Sequence, residues 1–456
     1  MTLLITIAAF VVALGCLIVV HEYGHFIVAH ACGVKVLRFS VGFGRPLWTK
    51  RWGRDATEWV IAAFPLGGYV KMLDEREAPV ARAELPRAFN RQPVWRRVAI
   101  VVAGPAANFL LAIALYWLLF STGVPGIRPE VSAPPEGTPA RAAGFAAGDV
   151  LARIGGEQVA SWQDVRWVLL QHAVRRSAVT IEVRDASGAA ATRRLDLSGL
   201  TAADLDADFM NTLGLRRFQV QAPPEVRRVH PDGAAMRAGL MKDDRILAID
   251  NTRLESVEQA ILTIQRNPGK TLLLEIQRGG RVLSAVPVTP DAHAEKDGRT
   301  IGRINAELAN NQEAFSKYLL VVRHGPLDGF ARALKQTWDT SVFSLTMLGK
   351  MIVGDISLRN LSGPITIADY AGQSAQGGVA SYLLFLALIS ISLGVLNLLP
   401  IPLLDGGHLL YYAIEIVKGR PLSDRAIEIG QHAGLVLLIS LMAFALYNDI
   451  HRLIGG

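Results

Sequence analysis

Four stretches of the chain carry almost no polar residues: Leu3 to Val20, Val98 to Phe120, Tyr382 to Leu399, and a shorter one from Gly434 to Tyr447. A helix rising 1.5 Å per residue needs about 20 apolar residues to cross a hydrocarbon layer of roughly 30 Å, so these read as four transmembrane helices. The last is at a length that also suits a buried soluble helix, which leaves three spans as the fallback count. No basic segment precedes the first run and no small-residue cleavage site follows it, so it reads as a retained span and not as a cleaved leader. Between the second and third runs the pattern changes to short alternating stretches. Residues 310 to 380 then read as amphipathic helix, with Phe330, Leu334, Trp338, Val342, Leu345, Leu348 and Ile352 three or four apart.

The alternating region contains a repeat. Pro139 to Leu151 aligns with Ala234 to Leu247, Gly144 falling on Gly239, and Val179 to Arg184 matches Leu272 to Gln277. Two copies of one small domain are implied, each turning at a glycine and ending in alternating strands. The second copy has Asp243 where the first has Gly148.

Composition adds one constraint. With 456 residues, 51% of them hydrophobic, and a mean hydropathy of +0.29, the chain is too apolar for an ordinary soluble protein and too polar for one that lies wholly in lipid. Charge sets the orientation. Between Phe26 and Arg97 thirteen Lys and Arg face six acidic residues, and Lys418, Arg420 and Arg425 follow the third run. Both loops are therefore expected on the cytoplasmic side, with the termini and the long segment from about 121 to 380 outside. The net charge of +7 calls for no nucleic acid, because much of it sits where anionic lipid of the phospholipid bilayer is the neighbour. The two cysteines, Cys16 and Cys32, lie in and just after the first run and leave the outer segment without a disulfide.

The chemistry starts at the end of the first run, where His21-Glu22-Tyr23-Gly24-His25 places three ionisable groups at membrane depth. Each such group costs about 2.5–3.5 kcal/mol on insertion scales, so it needs a partner or a task. On a helix His21 and His25 share one face, where two imidazoles can hold one Zn²⁺ while Glu22 reaches the attacking water. A catalytic zinc usually has three protein ligands, and Asp405 is the candidate for the third. It follows the third run, after Asn397-Leu398-Leu399-Pro400-Ile401-Pro402, where the prolines must break the helix. The charge-derived topology brings both motifs to the cytoplasmic side.

These motifs resemble the site-2 protease family of intramembrane zinc metalloproteases: His21-Glu22-x-x-His25 in the first span, and Asn397-x-x-Pro400-x-Pro402-x-Leu404-Asp405-Gly406 in the third. The resemblance implies one Zn²⁺ per chain on His21, His25 and Asp405, Glu22 as the residue that activates water, and substrate placement by Asn397, Pro400 and Pro402. Ala62 to Lys71, with Gly67, Gly68 and Tyr69, is similar to the family's membrane-associated β-hairpin, which pairs with an unwound substrate. The repeated segments resemble PDZ domains of bacterial envelope proteases, and Leu213-Gly214-Leu215 resembles the loop by which PDZ domains hold a chain terminus; Gly126-Ile127 is a candidate for the first copy. The implied partners are single-span membrane substrates such as an anti-sigma factor, and remnant signal peptides. The implied location is the bacterial inner membrane. His30, off the face of His25, reads as structural.

The fold class expected is therefore a multi-pass α-helical membrane protein of four transmembrane helices, with two periplasmic PDZ-like α+β domains inserted between the second and third. The divisions are a first helix with the zinc motif (1–31), a cytoplasmic loop with the hairpin (32–97), a second helix (98–122), two PDZ-like domains (123–208 and 209–292), a periplasmic amphipathic helical segment (293–380), a third helix (381–412), a cytoplasmic link (413–430) and a fourth helix (431–456). The outer domains act as a size filter on substrates, or as plain spacers. Two other readings compete. A membrane-anchored PDZ adaptor without proteolytic activity leaves the four costly polar groups unexplained, and a zinc transporter or sensor needs further intramembrane carboxylates or histidines.

Overall fold

In the computed structural model the four apolar runs are helices of membrane-crossing length: Leu3–Ala31, Val94–Thr122, Val379–Leu398 and Arg425–Arg452. The residues described are 2–201, 204–205, 208–218, 222–294, 299–309, 316, 318–357 and 362–455. The fourth helix, Asp424–Gly455, is much longer than its apolar stretch, because helix-forming polar turns extend it at both ends. The chain divides into one unit of Met1–Val124 with Arg323–Gly456 and a second of Pro125–Val322.

In the first unit, helices pack through small residues. A Cβ on Gly24 of the first helix would lie 2.3 Å from the Ala103 carbonyl of the second, so only glycine permits that crossing. Ala9, Ala13 and Leu17 meet Phe385 and Leu386, while Ala112 and Tyr116 meet Ala387, Ile391 and Val395. The amphipathic helix is present as Pro326–Val353. Its small and hydroxyl residues Gly329, Ala333, Thr337 and Thr340 are buried, whereas the apolar stripe of Leu334, Trp338, Leu345 and Ile352 is exposed. A shorter helix, Pro364–Gln376, starts on Asp449, whose carboxylate accepts bonds from the Gly363, Ile365 and Thr366 amides.

The expected hairpin is a fuller sheet. Strands β1 (Val36–Trp52) and β2 (Thr57–Met72) each bend, so that residues 38–41 pair with 58–61 on one side and with 68–71 on the other, while 48–52 pair with 57–61. Residues 68–72 form an edge among the described residues.

In the second unit the repeat is visible as duplicated hydrogen bonds. The Val131 amide donates to Asp149 O and the Val226 amide to Asp244 O; Leu151 donates to Pro129 O as Ile246 does to Pro224 O. Gly148 and Asp243 share a left-handed backbone, φ +87° and +70°, which glycine adopts freely and aspartate tolerates. The first module orders its sheet as 157–158, 150–154, 179–184, 190–195 beside the helix Trp162–Val174. The second orders 281–288, 272–278, 245–249, 225–229, 306–309 beside Val257–Gln265.

Several boundaries differ from the sequence reading, the second and fourth helices starting earlier, at Val94 and Asp424, than residues 98 and 431. Leu213 and Leu215 are buried in the core of the first module, not the second, and Ser132 and Phe218 exchange backbone bonds with Arg216 and Glu130. The first module thus closes with a segment contributed after residue 208, bridged to it between Val131 and Arg217. The second likewise extends past 292, since Ala306–Ala309 pairs with Glu225–Val229; short polar alternation at 300–309 forms strands there, not helix. Residues 310–315 and 358–361 of the expected helical segment lie outside the described residues. Gly126-Ile127 is no loop: Val124–Ile127 is a strand that pairs with Leu319–Val322. Finally, 381–412 is two helices, because Pro400 and Pro402 cannot continue the first past Leu398, and the second, Asp405–Lys418, runs into the expected link.

Candidate metal centre

His21 and His25 occupy successive turns of the first helix, and their Nε2 atoms are 3.2 Å apart. Asp405 begins its own helix, and its Oδ2 lies 3.2 Å from His21 Nε2 and 3.5 Å from His25 Nε2. Tetrahedral ligands at about 2.0–2.1 Å from zinc stand about 3.3–3.4 Å from one another, so this triangle has the dimensions of three corners of such a site. Asp405 Oδ2 is also buried, with the two histidine nitrogens as its near neighbours, a setting that suits a cation between the three. Among the described residues these three form the one cluster of metal-ligating side chains.

The loop between the third span and Asp405 places that carboxylate by close backbone contact. A Cβ on Gly406 would be 2.1 Å from Leu399 O, and one on Gly407 would be 2.5 Å from Ile401 O. Only glycines let the new helix start directly beneath the end of the old one. Leu403 has φ +82°, a strained conformation for a branched side chain, two residues before Asp405. At the other end of the helix, Glu415 takes a two-pronged bond from Arg97 at 2.5 and 3.1 Å, and the guanidinium covers the Tyr412 ring at 4.8 Å. This clamp fixes the Asp helix to the base of the second helix.

The second helix backs both histidines with one face. Ile100 O accepts from His25 Nδ1 at 2.8 Å, which leaves Nε2 free as a ligand. Asn108 Nδ2 is 3.2 Å from His21 Nδ1. Between them a Cβ on Gly104 would lie 2.2 Å from His25 Nε2 and 2.8 Å from His21 Cε1, so the bare backbone there is the floor on which the rings rest. Ile100, Gly104 and Asn108 are spaced four apart, the same period as the histidines.

The other expected residues are distributed as follows. Asn397 Nδ2 is 3.5 Å from His21 Nε2, at the rim of the triangle. Pro402 packs on the last helix, where a Cβ on Gly434 would touch its carbonyl at 2.4 Å, and Pro400 is exposed. A Cβ on Gly68 would lie 3.0 Å from Glu22 Cγ, so the sheet's edge runs past the glutamate; Gly67 adjoins Phe43, and Tyr69 stacks on that ring at 6.1 Å. His30 stacks on Phe26 at 6.2 Å, away from the triangle. Leu213-Gly214-Leu215 sits in the other unit, where Leu215 edges a cavity of about 480 Å³ with Trp162, Arg166, Met210 and Asn211. Sequence reasoning passed over Ile100, Gly104, Asn108, Arg97 and Glu415. A fully buried Asn within an apolar run was the available signal.

Comparison with known proteins identifies the family. Peptidase family M50 matches residues 9–441. The regulator of sigma-E protease RseP of Salmonella typhimurium (strain 14028s / SGSC 2262) is 42% identical over 453 residues, covering 99% of this chain and 100% of the relative. That of Escherichia coli (strain K12) is 43% identical over 447 residues, covering 98% of each chain. A Ralstonia nicotianae protein whose curated name carries the words zinc metalloprotease is 42% identical over 466 residues, 99% of each. Among solved structures, the PDZ domain of an SdrC-like protein from Listeria monocytogenes matches 21% of this chain and 94% of its own, at 24% identity and a TM-score of 0.17. A match that begins inside the first helix and ends beyond the Asp helix leaves no part of the triangle outside it, and the chain belongs to peptidase family M50.

Proposed function

We propose that this is an intramembrane zinc metalloprotease that cuts within or beside the membrane segment of single-span proteins. The observation that carries the reading is the triangle of His21, His25 and Asp405 with tetrahedral spacing at the end of a membrane helix, with Glu22 between the histidines. His21, His25 and Asp405 would hold one zinc per chain, which when bound would supply Lewis acidity for the scissile carbonyl and lower the pKa of water toward about 7. Glu22 takes the proton of the attacking water and delivers it to the leaving amine. Asn397, at the rim, orients the carbonyl, and the loop of Pro400 and Pro402 walls the same side.

A membrane helix shields its own peptide bonds, so cleavage needs a local unwound stretch. The edge at Gly68, beside Glu22, receives that stretch as an added strand, with Gly67 and Tyr69 shaping the approach. Relatives named as regulators of sigma-E support a substrate in that pathway, a single-span anti-sigma factor, with remnant signal peptides as a second class. By the charge rule the centre faces the cytoplasm of the inner membrane and the PDZ-like modules lie in the periplasm. There they exclude substrates whose outer domain has not been removed.

The test is cleavage of a single-span substrate by the protein in detergent. Glu22→Gln abolishes cutting while zinc is retained; persistence of cutting in that variant refutes the mechanism.

A further inference from the structure

We propose that Asn108 is the positioning residue for His21, holding its imidazole with Nε2 toward the metal by accepting a hydrogen bond from Nδ1–H on Asn108 Oδ1. The inference rests on His21 being a zinc ligand. A neutral imidazole that offers Nε2 as a lone pair carries its proton on Nδ1, and that N–H then needs an acceptor. His25 has one in Ile100 O. For His21, among the described residues, the Asn108 amide stands at its Nδ1, 3.2 Å away.

That amide turns Nδ2 to the ring, which sets donor toward donor once Nδ1 carries the proton that a zinc-binding Nε2 requires. The two ends of an amide have the same shape, and their assignment follows from the hydrogen bonds they make. Exchanging them turns the contact into Nδ1–H···Oδ1 with no heavy atom moved. Asn108 is held at this height: it is fully buried, and Ser390 Oγ of the third span donates to its backbone carbonyl at 2.7 Å. An Asn in the middle of an apolar helix is a costly residue, and orienting a ligand accounts for it.

The experiment uses the full chain in detergent, with zinc affinity measured by chelator competition and the visible spectrum recorded after cobalt replacement. Asn108→Ala should lower zinc affinity about ten- to a hundredfold and shift the cobalt bands. Asn108→Asp, which can only accept, should bind within about threefold of the unmodified protein, as carboxylate–histidine–zinc arrangements do. Unchanged affinity in Asn108→Ala overturns the proposal. So does an Asn108→Asp protein that elutes and melts normally yet binds as weakly as the alanine variant. Should Asn108→Asp not fold, the cobalt bands of Asn108→Ala decide, and unshifted bands overturn it. His21→Ala separates the premises: zinc bound as tightly without His21 removes the ligand reading itself, whereas zinc lost there and kept in Asn108→Ala removes only the role of Asn108.

Discussion

Gly104→Ala adds one methyl group under the two histidines, and the structure sets its consequence. The new Cβ would stand 2.2 Å from His25 Nε2 and 2.5 Å from Cε1, where ordinary contact begins at 3.4 Å. The ring must therefore retreat by about 1.2 Å, or the helices must part. Retreat drives His25 into its two neighbours in the triangle, Asp405 Oδ2 at 3.5 Å and His21 Nε2 at 3.2 Å. Parting opens the crossing that Gly24 and Ala103 make by near contact. A misplacement of about 1 Å at reacting groups costs on the order of a hundredfold in rate, or about 2.7 kcal/mol. We expect kcat/KM on a single-span substrate to fall by at least that factor, with zinc affinity down about tenfold or more. Gly15→Ala is the control, since nothing lies within 4 Å of its Cβ. Gly104→Ala protein that cuts and binds zinc as the unmodified chain does would show that the second helix is not the floor of the site.

Asp405→Asn should lose zinc, because an amide oxygen replaces the anionic ligand; zinc content by atomic absorption checks this, and full occupancy with full activity removes Asp405 from the centre. Excision of the inserted modules should admit substrates that still carry a bulky outer domain, measured as cleavage of intact against pre-trimmed substrate, and unchanged selectivity ends the filter idea. Arg87 holds the Asp55 carboxyl below its ordinary range through a two-pronged bond. A depressed carboxyl stabilises the fold above about pH 3.9 and loses that contribution as pH falls through its folded value. Arg87→Gln should therefore melt lower than the unmodified protein at neutral pH, and the gap should close in acid; a gap independent of pH contradicts the assignment.

The proposed ligands are legible in the sequence because helical period alone puts His21 and His25 on one face, and because Asp405 is a carboxylate where apolar sequence meets two prolines. What backs them was not. Ile100 acts through a carbonyl that every residue possesses, Gly104 through an absent side chain, and Arg97 and Glu415 meet across 318 positions. Asn108 alone broke the apolar pattern. In the inserted modules the repeat locates the copies but not their ends, since the segment that closes each one lies beyond its repeated part, at Arg217 in the first and Ala306–Ala309 in the second. Leu213-Gly214-Leu215 points to the second copy by its likeness to a terminus-binding loop, although its leucines are in the earlier core.

If substrate adds to the edge formed by residues 68–72, as proposed above, that edge bears on which bonds are cut. A strand that recruits through N–H and C=O groups is blind to side chains, so it ranks candidate segments by how readily they surrender their own helical bonds. Under that proposal vulnerability becomes a thermodynamic property of the substrate: glycine- and proline-weakened spans would be cut faster than stiff leucine-rich ones.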